Sequence, residues 1–139
     1  MINLTKKEIS SIPRSFDVIG DILIFSDFPS KLVKKQKKVG DYMISRLKNI
    51  KVVCRKTSIH KGKYRTREVK IIAGEKRTET VYKENGVILK LDIEKCYFSP
   101  RLSSERLRIA KSVKNGETVL VMFSGVGAYP LVIVKNSKV

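Results

Sequence analysis

Asn85-Gly86 stands between two runs whose side chains alternate, Thr78–Lys83 and Val87–Ile93. A two-residue loop of this kind needs positive φ at both positions, and Asn-Gly meets that need at low cost, so the pair predicts a tight β-hairpin. Val87, Leu89, Leu91 and Ile93 then share one face. A register slip of one residue would turn all four to water, so the pairing is strongly specified. A lone hairpin is marginal in water, and this one requires a second layer to cover its apolar face. The rest of the chain must supply that layer.

Upstream, FDVIGDILIF at residues 16–25 reads as two short strands around Gly20-Asp21, a second hairpin. Pro29-Ser30 opens a helical pattern with Leu32, Val39, Met43 and Leu47 on one stripe and lysines around the remainder. Val52-Val53-Cys54, residues 68–73 and residues 78–83 read as further strands. Strand pair, helix and then a run of strands describe an α+β unit.

The pattern changes after Ile93. Pro100 holds Ser99 in an extended conformation. Ser103-Ser104-Glu105 is expected to cap a helix to about Val113, with Leu107, Ala110 and Val113 on its inner stripe. Lys114-Asn115-Gly116 would end it, and a strand at Thr118–Met122 would feed the glycine turn Ser124-Gly125-Val126-Gly127. Glycines there let a ligand approach the backbone, and the N–H groups of a following helix would face it. The expected division is a domain over 1–95 and the start of another over 96–139, with the boundary at about 94–100.

Charge narrows the partner. The chain carries 30 Lys+Arg against 13 Asp+Glu, a net +17. Residues 31–77 hold 17 of those cations and three acids, a local excess of +14. Like charge concentrated this far repels itself, and a phosphate backbone relieves that repulsion. Tyr97 and Phe98 beside Arg101, Arg106 and Arg108 suit stacking on an unpaired base and holding phosphates or guanine edges. His60 reads as a loop residue, and Cys54 and Cys96 lack metal-ligand or C-x-x-C spacing, so they read as free thiols with no metal. No run approaches the ~20 apolar residues of a membrane span. The N-terminus lacks a signal-peptide pattern, and a cytoplasmic, monomeric, membrane-free protein is expected.

YFSPRLSSERLRIAK, followed by GETVLVMFSGVGAYPLVI, resembles the archaeal-type tRNA (guanine-37-N1)-methyltransferases and their relatives that methylate wyosine precursors. SFDVIGDILIF, VVCRK and AGEKRTETVYKENGVILKLDIEKCYFSPRL resemble the RNA-positioning domain of that family, from about Ile12 onward. The resemblance implies an α+β RNA-binding domain followed by the start of an α/β, Rossmann-like domain that uses S-adenosylmethionine (SAM). It implies methyl transfer from SAM to N1 of guanosine 37 in tRNA. Arg101 then takes the target-base role, and Phe123, Ser124, Gly125 and Gly127 take the SAM contacts. Arg55, Lys56, Lys61, Lys63, Arg65, Arg67, Arg106 and Arg108 are the expected RNA contacts. The family's general base and N-P-P-Y loop lie downstream of the glycine turn. The isolated chain is therefore expected to be an inactive N-terminal part with an incomplete SAM pocket. The alternatives are a non-catalytic basic RNA-binding module and a wyosine-precursor methyltransferase.

Overall fold

The computed structural model describes residues 4–57 and 68–138. Helix α1 (Lys6–Ser10) opens on a capping box in which the Thr5 N–H donates to Glu8 Oε2 at 2.9 Å and Glu8 N–H donates to Thr5 Oγ1 at 3.3 Å. Strands β1 (Phe16–Ile19) and β2 (Ile22–Phe25) pair antiparallel across the Gly20-Asp21 turn, with Ile19 opposite Ile22. The expected helix is split into a 3-10 stretch, Ser30–Lys35, and α2 (Gln36–Arg46). Its stripe is as expected: Leu32, Val39 and Met43 are buried and Leu47 is partly so.

Strand β3 (Val52–Lys56) pairs parallel to β2, and β4 (Val69–Gly74) pairs antiparallel to β3. Parallel pairing of β2 with β3 needs a crossover, and α2 provides it. The sheet order is β1-β2-β3-β4. Because β2 and β3 lie inside this sheet and are covered on both faces, they read as continuous apolar runs. Leu23, Phe25, Val53 and Ile72 pack under the 3-10 stretch and α2, with Leu4 and Ile12 on either side of α1. Ile19, Ile22, Ile24, Val52 and Cys54 face the opposite layer.

That opposite layer begins with the hairpin of β5 (Glu79–Glu84) and β6 (Val87–Asp92). Asn85 and Gly86 have φ of 45° and 78°, as a type I′ turn requires. Val87, Leu89, Leu91 and Ile93 are all buried. Each such side chain withdrawn from water contributes about 1.5–3 kcal/mol. Leu89, Leu91 and Ile93 join Phe98 and Ala128 in the core that meets the sheet. This core runs across the division expected near residue 95.

Helix α3 (Ser103–Ser112) follows a 3-10 turn at Pro100–Leu102, and α4 (Ala128–Asn136) follows the glycine turn. Three expectations need correction here. No side chain caps α3, because the preceding 3-10 turn runs directly into it and Leu102 occupies the cap position. Its buried residues are Arg106 and Ala110, whereas Leu107 and Val113 are only partly covered. The strand expected at Thr118–Met122 is not formed among the described residues. A strand needs a paired neighbour for its backbone groups, and none is placed beside this segment. Leu120 and Met122 are accordingly exposed. No described helix is long and apolar enough to cross a membrane.

Candidate functional site

A cleft of about 720 Å³ opens where the two sequence motifs meet. One wall is Cys96–Ser99 with Leu102, and the other is Phe123–Val126 with Ala128 and Tyr129. Lys95 stands at its edge and Arg106 contributes the floor. Of the four residues expected to contact a cofactor, Phe123, Ser124 and Gly125 line this cleft directly. Gly127 is the cap of α4, with φ of 78°, and its carbonyl accepts the Leu131 N–H at 3.0 Å.

The backbone explains the local sequence. Gly125 has φ of 57° and would place a Cβ 3.9 Å from the Tyr97 carbonyl oxygen, so the turn lies against the opposite wall. Phe123 adopts φ of 54°, a left-handed conformation that costs a non-glycine residue energy. Its ring is 97% exposed at the rim, so no packing inside the chain compensates. Such strain clusters at ligand-binding segments. Pro130 falls in the first turn of α4, where its missing N–H would have had no intrahelical acceptor. The N–H groups of Ala128 and Tyr129 remain as donors at that end.

The floor is ionic. Arg106 is 2% exposed; its Nη2 donates to Glu84 Oε2 at 2.7 Å and to the Ser99 carbonyl at 3.1 Å, and its Nε also donates to Glu84. The guanidinium carbon lies 5.0 Å from the Phe98 ring centroid and 5.8 Å from that of Tyr129. Tyr82 stacks edge-on to Phe98 at 4.9 Å, and burial followed by the Glu84 charge pushes its phenol pKa up. Arg106, expected as an RNA contact, is therefore a core ion pair. Its position three residues into a helix that had to bury a stripe left it inside. Glu84 was not anticipated. The signal was available, because Thr80, Tyr82 and Glu84 share the inward parity of β5, and a buried carboxylate demands a cation.

Arg101 is placed elsewhere. It lies in a neighbouring hollow of about 740 Å³ with Arg14–Val18 and Pro100, and its Nε donates to Asp17 Oδ1 at 2.6 Å. Its side chain is well exposed beside the cleft rather than within its lining. Arg108 is exposed and forms a fork with Glu105 at 2.7 and 2.8 Å. Arg55 donates to Gln36 Oε1 at 2.8 Å and stands 6.0 Å from the Phe28 ring, and Lys56 donates to Ser26 Oγ at 3.0 Å. These three cations stay at or near the surface. Lys61, Lys63, Arg65 and Arg67, with His60, lie outside the described residues. Among the described residues no three His, Cys, Asp or Glu side chains gather as metal ligands.

Comparison with known proteins gives two adjoining family matches. Residues 2–78 match the TYW2 N-terminal domain, and residues 80–139 match the TRM5/TYW2 methyltransferase domain. The two matches adjoin at the first residue of β5. The chain is 43% identical over 138 residues to the tRNA (guanine(37)-N(1))-methyltransferase Trm5b of Pyrococcus abyssi, covering 99% of this chain and 42% of that protein. It is 39% identical to the tRNA (guanine(37)-N(1))/4-demethylwyosine(37)-methyltransferase Taw22 of Nanoarchaeum equitans, over 90% of this chain and 41% of that one. Among solved structures, a complex of aTrm5 with tRNALeu superposes with a TM-score of 0.81 at 40% identity, covering 94% of this chain and 39% of that chain. Pyrococcus horikoshii TYW2 in complex with MeSAdo superposes at 0.76 and 30% identity, covering 97% and 46%. The chain thus spans about two fifths of the length of the curated relatives it matches.

Proposed function

Because this chain belongs to the TRM5/TYW2 methyltransferase family, we propose that it positions tRNA and forms one side of the SAM site for methylation of N1 of guanosine 37. The observation that carries this reading is the meeting of Tyr97–Ser99 with Phe123–Tyr129 around one cleft at the start of α4. The fit to SAM rests on that lining. The glycine turn lets a ligand lie close to the backbone, the aromatic walls suit apolar and ring surfaces, and the helix N–H groups suit a carboxylate. When bound, SAM supplies an electrophilic methyl group on a sulfonium. Phe123–Gly125 would hold its amino-acid and ribose end. Arg101, beside the cleft rather than in it, would reach a base flipped out of the anticodon loop, a step such enzymes need because the target atom is otherwise stacked.

The first 57 residues with the basic segment beyond them would grip the backbone. The proposed contacts are Arg55, Lys56, Lys61, Lys63, Arg65, Arg67 and Arg108. Such contacts fix register on the RNA and carry no base information. The protein would act as a monomer in the cytoplasm. The TYW2-type match of residues 2–78 and the dual name of the Nanoarchaeum relative favour a second substrate, the wyosine precursor at the same position.

The test is a salt titration of tRNA binding. Seven phosphate contacts give a log–log slope of about −5 to −6, so affinity should fall roughly 10³-fold or more between about 50 and 200 mM salt. Binding that ignores salt, or no binding at about 50 mM salt, would reject the RNA-positioning role.

A further inference from the structure

The type I′ turn of the β5–β6 hairpin touches both helices that flank the cleft. Glu84 holds Arg106 in α3 through two hydrogen bonds. Asn85 Nδ2 donates to the Ser103 carbonyl at 2.9 Å, and its own carbonyl accepts Asn136 Nδ2, from the end of α4, at 2.9 Å. Val87 packs with Ala110, Val132 and Ile133 beneath both helices. One side chain bridges the cleft itself. Arg106 binds the Ser99 carbonyl and faces Phe98 on the first wall, and it faces Tyr129 on the second.

We propose that Arg106, held by Glu84, is the positioning residue of the cleft: it couples the two walls so that the Tyr97–Ser99 segment and the start of α4 keep one fixed separation. The proposal rests on reading this cleft as the cofactor site, but its test reads the walls and not the cofactor. The physical case comes from the fork. A guanidinium has a planar, two-point fit to a carboxylate that fixes its orientation as well as its charge. With Glu84 at its back, Nη2 also serves the Ser99 carbonyl, and the guanidinium lies near the Phe98 and Tyr129 rings. A lysine would keep the charge and lose that orientation. Glu84 also matters to the ligand class. An uncompensated buried cation would repel a sulfonium, whereas the pair presents no net charge to it.

Stability alone cannot separate positioning from simple packing, because replacing a buried ion pair by apolar residues is often neutral or stabilising. That property makes the experiment possible. Amide exchange is measured by NMR at Leu102 in the first wall and at Gly127 and Leu131 in the second, whose N–H groups donate to Ser99, Ser124 and Gly127 carbonyls, with Leu23 and Val53 in the sheet as internal controls. Three proteins are compared: the parent chain, Arg106→Lys, and Glu84→Leu combined with Arg106→Met. Both altered proteins should keep sheet protection. In both, amides of the two wall segments should exchange roughly tenfold or more faster, as local opening separates from global unfolding. Full parent-like protection in Arg106→Lys would overturn the role of the fork. Loosening of one wall alone would overturn the coupling. Loss spread equally over the sheet in both altered proteins would make the pair a structural element only.

Discussion

Gly20 and Gly116 make a matched pair that tests how the hairpin docks on the sheet. Both have positive φ, 60° and 81°. Alanine at either position incurs the left-handed cost, about 1–2 kcal/mol. Their surroundings differ completely. A Cβ on Gly116 meets nothing within 4 Å, whereas on Gly20 it would stand 2.2 Å from Thr80 Oγ1 and 2.4 Å from the Val81 carbonyl oxygen. Val81 presents backbone, which cannot swing aside. Thr80 is itself fixed, since its hydroxyl accepts from the Asp21 N–H at 3.3 Å and donates to Asp21 Oδ1 at 2.9 Å. Forcing a methyl into a packed contact costs about 1–3 kcal/mol. Losing a hydrogen bond of this kind adds about 0.5–1.5 kcal/mol. Gly20→Ala should therefore cost about 1.5–4.5 kcal/mol more than Gly116→Ala. Urea unfolding followed by circular dichroism gives both values, and a shared m-value licenses the subtraction. Equal destabilisation within about 0.5 kcal/mol would refute the close approach of the β1–β2 turn to β5.

Further predictions concern charge and thiols. Bonding to Arg77 first, and then to Thr80, holds the Asp21 carboxyl below its ordinary value of 3.8. A depressed carboxylate stabilises the fold above its unfolded pKa and loses that contribution as pH falls through the folded one. The stability gap between the parent and Asp21→Asn should thus be full at neutral pH and close on acidification below about 3.8; a gap independent of pH would remove Asp21–Arg77 as its source. Cys54 is buried, and burial with the Glu94 charge pushes its thiol up to about 12, while Cys96 is partly exposed at the cleft. At pH 8 a thiol reagent should modify Cys96 first and Cys54 only on unfolding, read by peptide mass; equal rates would contradict the core placement.

The sequence carried most of the scaffold because its signals are local. Asn85-Gly86 and Gly20-Asp21 dictate turns through φ alone, and alternation then assigns faces, so both hairpins and the α2 stripe were legible. What was not legible depended on neighbours. Thr118–Met122 has the composition of a strand, but pairing is a property of the assembly, and that segment stays irregular with Leu120 84% exposed. Arg106 and Arg108 look alike in sequence, yet a step of two residues, about half a helical turn, sends the first into an ion pair with Glu84 and the second to water. Charge counting cannot distinguish them. The two walls of the cleft were each visible as motifs, while the residue joining them was hidden by its resemblance to a phosphate contact.

The proposed function requires that the purine at position 37 of tRNA be presented to the cleft between Tyr97–Leu102 and Phe123–Tyr129. The most direct measurement places 6-thioguanosine at position 37 of a tRNA transcript, irradiates its complex with the chain, and maps the crosslinked peptide by mass spectrometry. Crosslinks are expected within residues 97–102 or 123–129. Crosslinks confined to the α2 face or to β3, with the cleft peptides unmodified, would contradict the proposed function.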